Sequence, residues 1–226
     1  DGTIVAIGAP FNNGNGNKAG HVRVYQYASG IWTQLGSDID GEAANNYSGN
    51  SVSLSSDGTI VAIGASFNNG NAAGHVRVYQ YASGTWTKLG SDIDGEGGDD
   101  QSGYSVSLSS DGTIVAIGAP YNDGSGNAAG HVRVYQYASS TDTWTQLGSD
   151  IDGEAANDNS GYSVSMSSDG TIVAIGAIRN NGNGTDAGHV RVYQYASSTD
   201  TWTQLGSDID GEAANNYSGN SVSLSS

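Results

Sequence analysis

The sequence predicts an all-β fold, a β-propeller built of four-stranded antiparallel blades. Three observations carry this expectation. The segment Asp1-Gly-Thr-Ile-Val-Ala-Ile-Gly-Ala9 returns at Asp57, Asp111 and Asp169, so the 226 residues are one unit of 54 to 58 residues written four times. Repetition at such a period calls for ring, solenoid or array reasoning instead of single-core reasoning. Each unit is a series of short runs with strand periodicity, separated by Asp-Gly and Ser-Gly turns, and no stretch has the helical period. Four antiparallel strands in a repeat of this length make a propeller blade. The chain reads as one repeat domain, 1–226, with repeats 1–56, 57–110, 111–168 and 169–226.

The second copy justifies each element in turn. Ser51-Val-Ser-Leu-Ser55 alternates apolar and small polar residues, the mark of a strand with one buried face. Asp57-Gly58 supplies a tight turn. Thr59-Ile-Val-Ala-Ile-Gly-Ala65 is a continuous β-branched run, as expected of a strand covered on both faces. A polar loop, Ser66 to Gly74, leads into the strand His75-Val-Arg-Val-Tyr-Gln-Tyr81. Ser83-Gly84 turns the chain into Thr85-Trp-Thr-Lys-Leu89, and an acidic segment from Asp92 to Ser102 leads to the next copy. Strands are therefore predicted at 51–55, 59–65, 75–81 and 85–89 and at their equivalents. All length variation falls in two inter-strand loops, where insertions are tolerated. Tyr47 and Tyr217 precede Ser-Gly-Asn, whereas Gln101 and Asn159 precede Ser-Gly-Tyr. Each copy keeps one Tyr here, displaced by three positions, which predicts one inter-blade space filled from either side.

Composition bounds the partners. Seven Lys plus Arg stand against 23 Asp plus Glu, a net charge of −16. Such a chain repels nucleic acid and anionic lipid, so neither is expected as a partner. The 35 Gly and only two Pro imply many tight turns. No apolar run approaches a membrane-spanning helix, so no membrane insertion is expected. The absence of Cys removes disulfides, thiol catalysis and thiolate metal sites. With no initiator Met and no signal-peptide pattern, the sequence reads as a mature piece or part of something longer. Acidity, scarce Lys and small polar loops point to an extracellular or cell-surface location.

The run Ser102-Gly-Tyr-Ser-Val-Ser-Leu-Ser-Ser-Asp-Gly-Thr-Ile-Val-Ala-Ile-Gly-Ala-Pro120 resembles an FG-GAP repeat, the blade unit of the integrin α-chain propeller. Gly103 matches the Gly of the family's Phe-Gly, and Gly118-Ala119-Pro120 its Gly-Ala-Pro. Gly130-His-Val-Arg-Val-Tyr135 resembles the strand that follows, and the likeness extends over all four copies. Ser102 stands where the family has Phe, and two copies carry Gly-Ala-Ser66 and Gly-Ala-Ile178 in place of Gly-Ala-Pro. The family's calcium loop between the first two strands is reduced here to Ser-Ser-Asp-Gly, too short to wrap a cation. The resemblance therefore implies a propeller and an adhesion role without that calcium site.

Candidate chemistry is repeated as strictly as the strands. His21, His75, His131 and His189 share one position; a metal-binding ring is conceivable, but solvated or backbone-bonded imidazoles are the expectation. Arg23, Arg77, Arg133 and Arg191 lie mid-strand and call for carboxylates, which the acidic segments supply. Those segments read Ser-Asp-Ile-Asp-Gly-Glu, with Asp38, Asp40 and Glu42, Asp92, Asp94 and Glu96, Asp150, Asp152 and Glu154, and Asp208, Asp210 and Glu212. Oxygen ligands at alternate positions around a Gly suit calcium, so calcium there is the alternative to no cofactor at all. Paired carboxylates could serve a glycosidase, but their recurrence in all four copies argues against a single catalytic cleft. Neither a nucleophile elbow nor a phosphate-binding loop is present, and no catalytic, cofactor or metal residue is assigned. Trp32, Trp86, Trp144 and Trp202 read as blade packing before glycan stacking. Loops Asn12 to Lys18, Asn68 to Ala73, Asn122 to Ala128 and Asn180 to Asp186 are where a binding specificity would sit.

The expected function is a non-enzymatic extracellular structural or adhesion module whose partner is a protein or glycan surface ligand or its own copies. The alternative is a lectin-like propeller binding glycans at repeated inter-blade sites. Ser221-Val-Ser-Leu-Ser225 is the strand that precedes the Asp-Gly turn in every other copy, so it should close the ring by pairing with Thr3–Ala9 in one blade. Part of a larger ring, or a repeat filament, is the alternative.

Overall fold

The computed structural model describes residues 2–67 and 72–225, and among these there is no helix. The first sheet holds β1 (Ile4–Ala9), β2 (His21–Ala28), β3 (Ile31–Gln34) and β4 (Ile39–Asp40). The second holds β5 (Ser51–Leu54), β6 (Ile60–Ala65), β7 (His75–Ala82), β8 (Thr85–Lys88) and β9 (Ile93–Asp94). The third holds β10 (Ser105–Leu108), β11 (Ile114–Ala119), β12 (His131–Ala138), β13 (Thr143–Gln146) and β14 (Ile151–Asp152). The fourth holds β15 (Ser160–Met166), β16 (Ile172–Ala177), β17 (His189–Ala196), β18 (Thr201–Gln204) and β19 (Ile209–Asp210). Every pairing is antiparallel between sequence neighbours, apart from the two-residue strands. In the second sheet β5 meets β6 from Ser51↔Gly64 to Leu54↔Val61, and β6 meets β7 from Ile60↔Gln80 to Ala65↔His75. In the second copy the four main strands fall within about a residue of the ranges the periodicity predicts, whereas β15 starts at Ser160, ahead of the predicted Ser163, and 221–225 form no strand.

The two-residue strands were not predicted. They arise because the outer strand of each sheet is split. β8 pairs with the second half of β7, from Tyr79↔Lys88 to Ala82↔Thr85, and β9 pairs with its start at His75↔Asp94 and Val76↔Ile93. Leu89 N–H still donates to the Val78 carbonyl (2.8 Å), and the residues after it leave the ladder. The acidic segment is thus a returning edge strand, and its first Asp is carried over the β7 Arg.

The core lies between sheets. Val22, Val24 and Ile39 of the first pack on Val61 and Ile63 of the second. Val76, Val78 and Ile93 pack on Val106, Leu108, Val115 and Ile117, and Val132, Val134 and Ile151 on Met166, Val173 and Ile175. Burying one such side chain contributes about 1.5–3 kcal/mol. Half-buried Trp residues clip the sheets together: Trp86 Nε1–H donates to the Leu35 carbonyl (2.8 Å), Trp144 to Leu89 (2.9 Å) and Trp202 to Leu147 (2.8 Å). The Tyr of this position makes ring contacts between neighbouring copies, although Tyr217 stays exposed. Tyr47 lies 5.1 Å from the Phe67 ring, and Tyr104 lies 5.0 Å from Tyr162.

Ring closure within the chain, expected from the sequence, is not seen among the described residues. β1 pairs only with β2, and residues 221–225 belong to no strand. Packing agrees: among the described residues the core clusters join first to second, second to third and third to fourth sheets, and none joins fourth to first.

Candidate functional site

The first element of the site is the split outer strand, which gathers His, Arg and carboxylates at each inter-sheet junction. In the second sheet, Arg77 donates to Asp92 Oδ2 from Nε (3.0 Å) and Nη2 (2.9 Å), and also pairs with Glu42 of the preceding acidic segment. Glu96 reaches forward to Arg133 in the same way (3.3 Å), as does Glu154 to Arg191 (3.5 Å). Arg133 and Arg191 add bonds to the backbone carbonyls of Asp94 (2.9 Å) and Asp152 (2.7 Å). Arg23 holds Asp38 bidentately (2.9 and 2.8 Å). The predicted pairing of mid-strand Arg with the acidic segments is therefore present in all four sheets, and three Glu carry it across a junction.

Electrostatics follow this geometry. Hydrogen bonds from Arg23 and then Gln34 pull the Asp38 carboxyl down to about 2. Burial pushes the Asp92 carboxyl up, but Lys88 and Arg77 together hold it below the usual value. The four His, expected to be solvated or backbone-bonded, are buried, because each opens the central strand where the acidic segment returns over it. Burial lowers the pKa of His75, His131 and His189 against the pull of neighbouring carboxylates. Nδ1 of His75 and of His189 has no hydrogen-bond partner, although His189 Nδ1 stands 3.8 Å from Asp208.

These shifts set a pH dependence. The unfolded chain protonates its His near the ordinary value of 6.5, whereas the three buried imidazoles resist protonation to lower pH. Below 6.5 the unfolded state binds more protons, so stability falls as pH drops. Denaturant midpoints should decline from pH 7 to pH 5, and His189→Asn should flatten that slope. An identical slope in the variant would remove the imidazole from this role.

Among the described residues, four groups could be considered for a metal: His21, Asp38 and Asp40; His75, Asp92 and Asp94; Glu96, His131 and Asp150; and Glu154, His189 and Asp208. Within each, ligand atoms lie within 4.8 Å of one another. The donor set fits a cation poorly, because guanidinium groups already neutralise Asp38, Asp92, Glu96 and Glu154. Nor do the three carboxylates of one segment converge. Glu42 turns to Arg77, away from Asp38 and Asp40. At the reduced calcium loop, Asp57 accepts from Thr59 N–H (2.9 Å) and Ser55 Oγ (2.7 Å), which closes the turn on itself.

The second element is a cleft of about 250 Å³ between the second and third sheets, lined by Ser91, Asp92, Ile93, Asp94, Tyr135, Thr143 and Trp144. The acidic segment forms one wall and an aromatic pair the other. Sequence reasoning singled out the Trp and the Asp separately, but the split strand that faces them towards each other left no signal it could use. The predicted specificity loops are pinned at their bases: Asn122 Nδ2 donates to buried Asp100 and Asn180 Nδ2 to Asp158, both at 2.9 Å. Of the second loop, residues 68–71 lie outside the described residues.

Four sheets, each packed face to face on the next through a repeated core, define a β-propeller repeat protein. Residues 150–193, from the third acidic segment into β17, match the model of the FG-GAP repeat, so the chain carries an FG-GAP repeat. No curated protein matches. Among solved structures, two named "putative 6-phosphogluconolactonase" are similar. That from Bacteroides uniformis has 13% identity and a TM-score of 0.56, over 84% of this chain and 48% of that one. The one from Bacteroides fragilis has 14% identity and a TM-score of 0.58, over 84% and 49%. A Lactobacillus plantarum protein matches at 14% identity and a TM-score of 0.52, over 84% and 49%. The chain thus spans about half the length of these structures, and the likeness is one of fold.

The comparisons correct the exclusion of an enzyme. That exclusion rested on identical carboxylates in every repeat, yet the same architecture occurs in proteins bearing an enzyme's name. The junctions are also unequal: Arg77 meets Asp92 and Glu42, whereas Arg133 meets Glu96 and a backbone carbonyl. Identical residues in each repeat do not impose identical chemistry. Among the described residues, no helix is long and apolar enough to cross a membrane.

Proposed function

We propose that this chain is an extracellular adhesion or structural module, an FG-GAP-like propeller that engages a protein or glycan surface ligand. The observation that carries this reading is the FG-GAP match at 150–193 in a chain whose other copies repeat the same residues. Net charge of −16 supports a partner other than nucleic acid or anionic lipid. The pinned loops offer a preorganised surface, which lowers the ordering cost of binding.

A glycan-binding reading is favoured by one feature, the cleft between Trp144 and Asp94. An aromatic wall facing carboxylates suits a sugar, with apolar ring faces on one side and hydroxyl donors on the other. Beads coated with the chain should be retained on protein or glycan surfaces, equally with calcium and with chelator, since guanidinium groups occupy the carboxylates. Trp144→Ala should reduce glycan retention at least about tenfold if the cleft holds the sugar, a loss of roughly 1.4 kcal/mol. Retention by neither surface in either condition would overturn the adhesion reading. Retention untouched by Trp144→Ala would place the ligand elsewhere, on the loops.

A further inference from the structure

We propose that the cleft between the second and third sheets takes an amino sugar with a free ammonium group, its ring on Trp144 and its charge on Asp94. This rests on the glycan reading of the same cleft and names the class of sugar it selects. A neutral sugar needs only an aromatic wall and hydrogen-bonding groups opposite. The opposite wall here also carries a charge that the protein leaves unanswered.

The charges at this junction pair off with one exception. Asp92 Oδ2 accepts from Arg77 (3.0 and 2.9 Å) and its Oδ1 from Lys88 (2.6 Å). Glu96 meets Arg133 (3.3 Å), whose Nη2 also donates to the backbone carbonyl of Asp94 (2.9 Å). The Asp94 carboxylate has no hydrogen bond or ion pair among the described residues, and Asp94 is an exposed part of the cleft wall. A ring nitrogen of His75 and one carboxylate oxygen each of Asp92 and Asp94 lie within 4.8 Å of one another. His75 is only 3% exposed, and its Nδ1 has no partner. Burial disfavours the charged imidazolium, so the ring adds no repelling charge, and with its proton on Nε2 it is an acceptor. Acceptors thus converge where one negative charge remains. A divalent metal needs more unneutralised carboxylate than this, whereas a primary ammonium brings one charge and three N–H donors.

The aromatic wall supplies the rest. Trp144 is held by its bond to the Leu89 carbonyl (2.9 Å) and by Tyr137, 5.1 Å away between ring centroids, so its plane is set before a ligand arrives. The Arg133 guanidinium already lies over Tyr135, 5.7 Å from the ring centre, which leaves Trp144 as the face for a ligand. A sugar lays its C–H face on such a ring, and an ammonium beside it is drawn to the same π-system. A lysine side chain offers the ammonium without a ring to stack, which favours the sugar. About 250 Å³ lies just below the ~300–1,000 Å³ usual for ligand sites, a size that suits one sugar ring. The same residue types stand at the neighbouring junctions, as Asp38, Asp40, Tyr79 and Trp86 and as Asp150, Asp152, Tyr193 and Trp202. Their aromatics pack on the inter-sheet cores as Tyr135 and Trp144 do. With a net charge of −16 to draw a polycation, a polymer of amino sugars gains from linked sites as a single sugar does not.

The test titrates the whole chain, by calorimetry, with glucosamine oligomers, with the same oligomers N-acetylated, and with glucose oligomers of the same linkage. The free-amine oligomer should bind at least about tenfold more tightly than the acetylated one, since acetylation removes the charge. Asp94→Asn should lower its affinity to the acetylated level. Asp99→Asn removes an equal charge from an exposed position outside the cleft and should leave the preference intact. Equal affinity for all three oligomers, lost in each case with Trp144→Ala, would overturn the ammonium assignment and leave the glycan reading standing. Binding of none of them, or binding indifferent to Trp144→Ala, would remove the glycan reading of the cleft and this inference with it. An equal loss from Asp94→Asn and Asp99→Asn would reduce the preference to net charge and sink the proposal. So would a lysine oligomer that bound as tightly with the same dependence on Asp94 and Trp144, because the ligand would then be a protein amine.

Discussion

Gly118→Ala is expected to destabilise the chain by at least about 3 kcal/mol, because the added methyl has no space to enter. A Cβ at Gly118 would stand 2.1 Å from the Gly161 carbonyl oxygen and 2.3 Å from Ser105 Oγ. The carbonyl is backbone of the next sheet, fixed by the hydrogen bond from Ser105 Oγ to it (2.8 Å), so it cannot rotate away as a side chain would. Relief requires the third and fourth sheets to part, which exposes the cluster around Val132 and Ile175. Gly84→Ala is the matched control, having nothing within 4 Å but a φ of +87°. That variant bears the left-handed backbone strain of a non-glycine residue, about 1–2 kcal/mol, without a clash. Denaturant midpoints should rank wild type, Gly84→Ala, then Gly118→Ala. A Gly118→Ala midpoint at or above that of Gly84→Ala would show that the sheets are not in close contact at this Gly.

The same contact explains why a Gly opens the Gly-Ala-Pro-like motif. Gly8, Gly64 and Gly176 each face a carbonyl of the following segment at the same closeness, from Gly49, Gly103 and Gly219. The motif's Gly is thus a spacing device between sheets, and the Gly of the Ser-Gly pair is its partner.

Strand positions were legible because alternation and Asp-Gly turns are local signals, and β5, β6, β7 and β8 fall where those signals end. The pairing of mid-strand Arg with acidic segments was legible from charge alone. The split outer strand was not, since Ile93-Asp94 is too short for a periodic pattern and is held by pairing with His75 and Val76. Missing it left the His read as solvated or backbone-bonded, with no hint that the returning segment buries them. Ring closure was a topological inference from unpaired strands. Whether it occurs depends on how far successive sheets turn, a property of packing that residue patterns do not encode. The exclusion of an enzyme failed for a related reason, because equality of sequence was taken for equality of environment.

Arg77→Met should cost about 3 kcal/mol, at the low end for a broken buried ion pair, even though it replaces a charge by an apolar chain of similar length. Arg77 is buried and joins three segments: β7, its own acidic return through Asp92, and the preceding sheet through Glu42. Removing it leaves Asp92 largely covered, with Lys88 (2.6 Å) as its remaining cation, and leaves Glu42 without a contact across the junction. Glu42 is well exposed and regains water, which is why the loss stays at the low end. Arg23→Met is the internal comparison, with the same strand position and an Asp from the equivalent position but an exposed guanidinium at the open end of the stack. Water and salt screen that pair, so its midpoint should not move measurably. Adding Asp92→Asn to Arg77→Met should recover part of the loss, since the uncompensated carboxylate is then gone. If the two Arg variants were equally destabilised, burial at the junction would not be what gives the pair its strength. If the Asn substitution recovered nothing, the cost of Arg77→Met would lie in lost packing between the sheets.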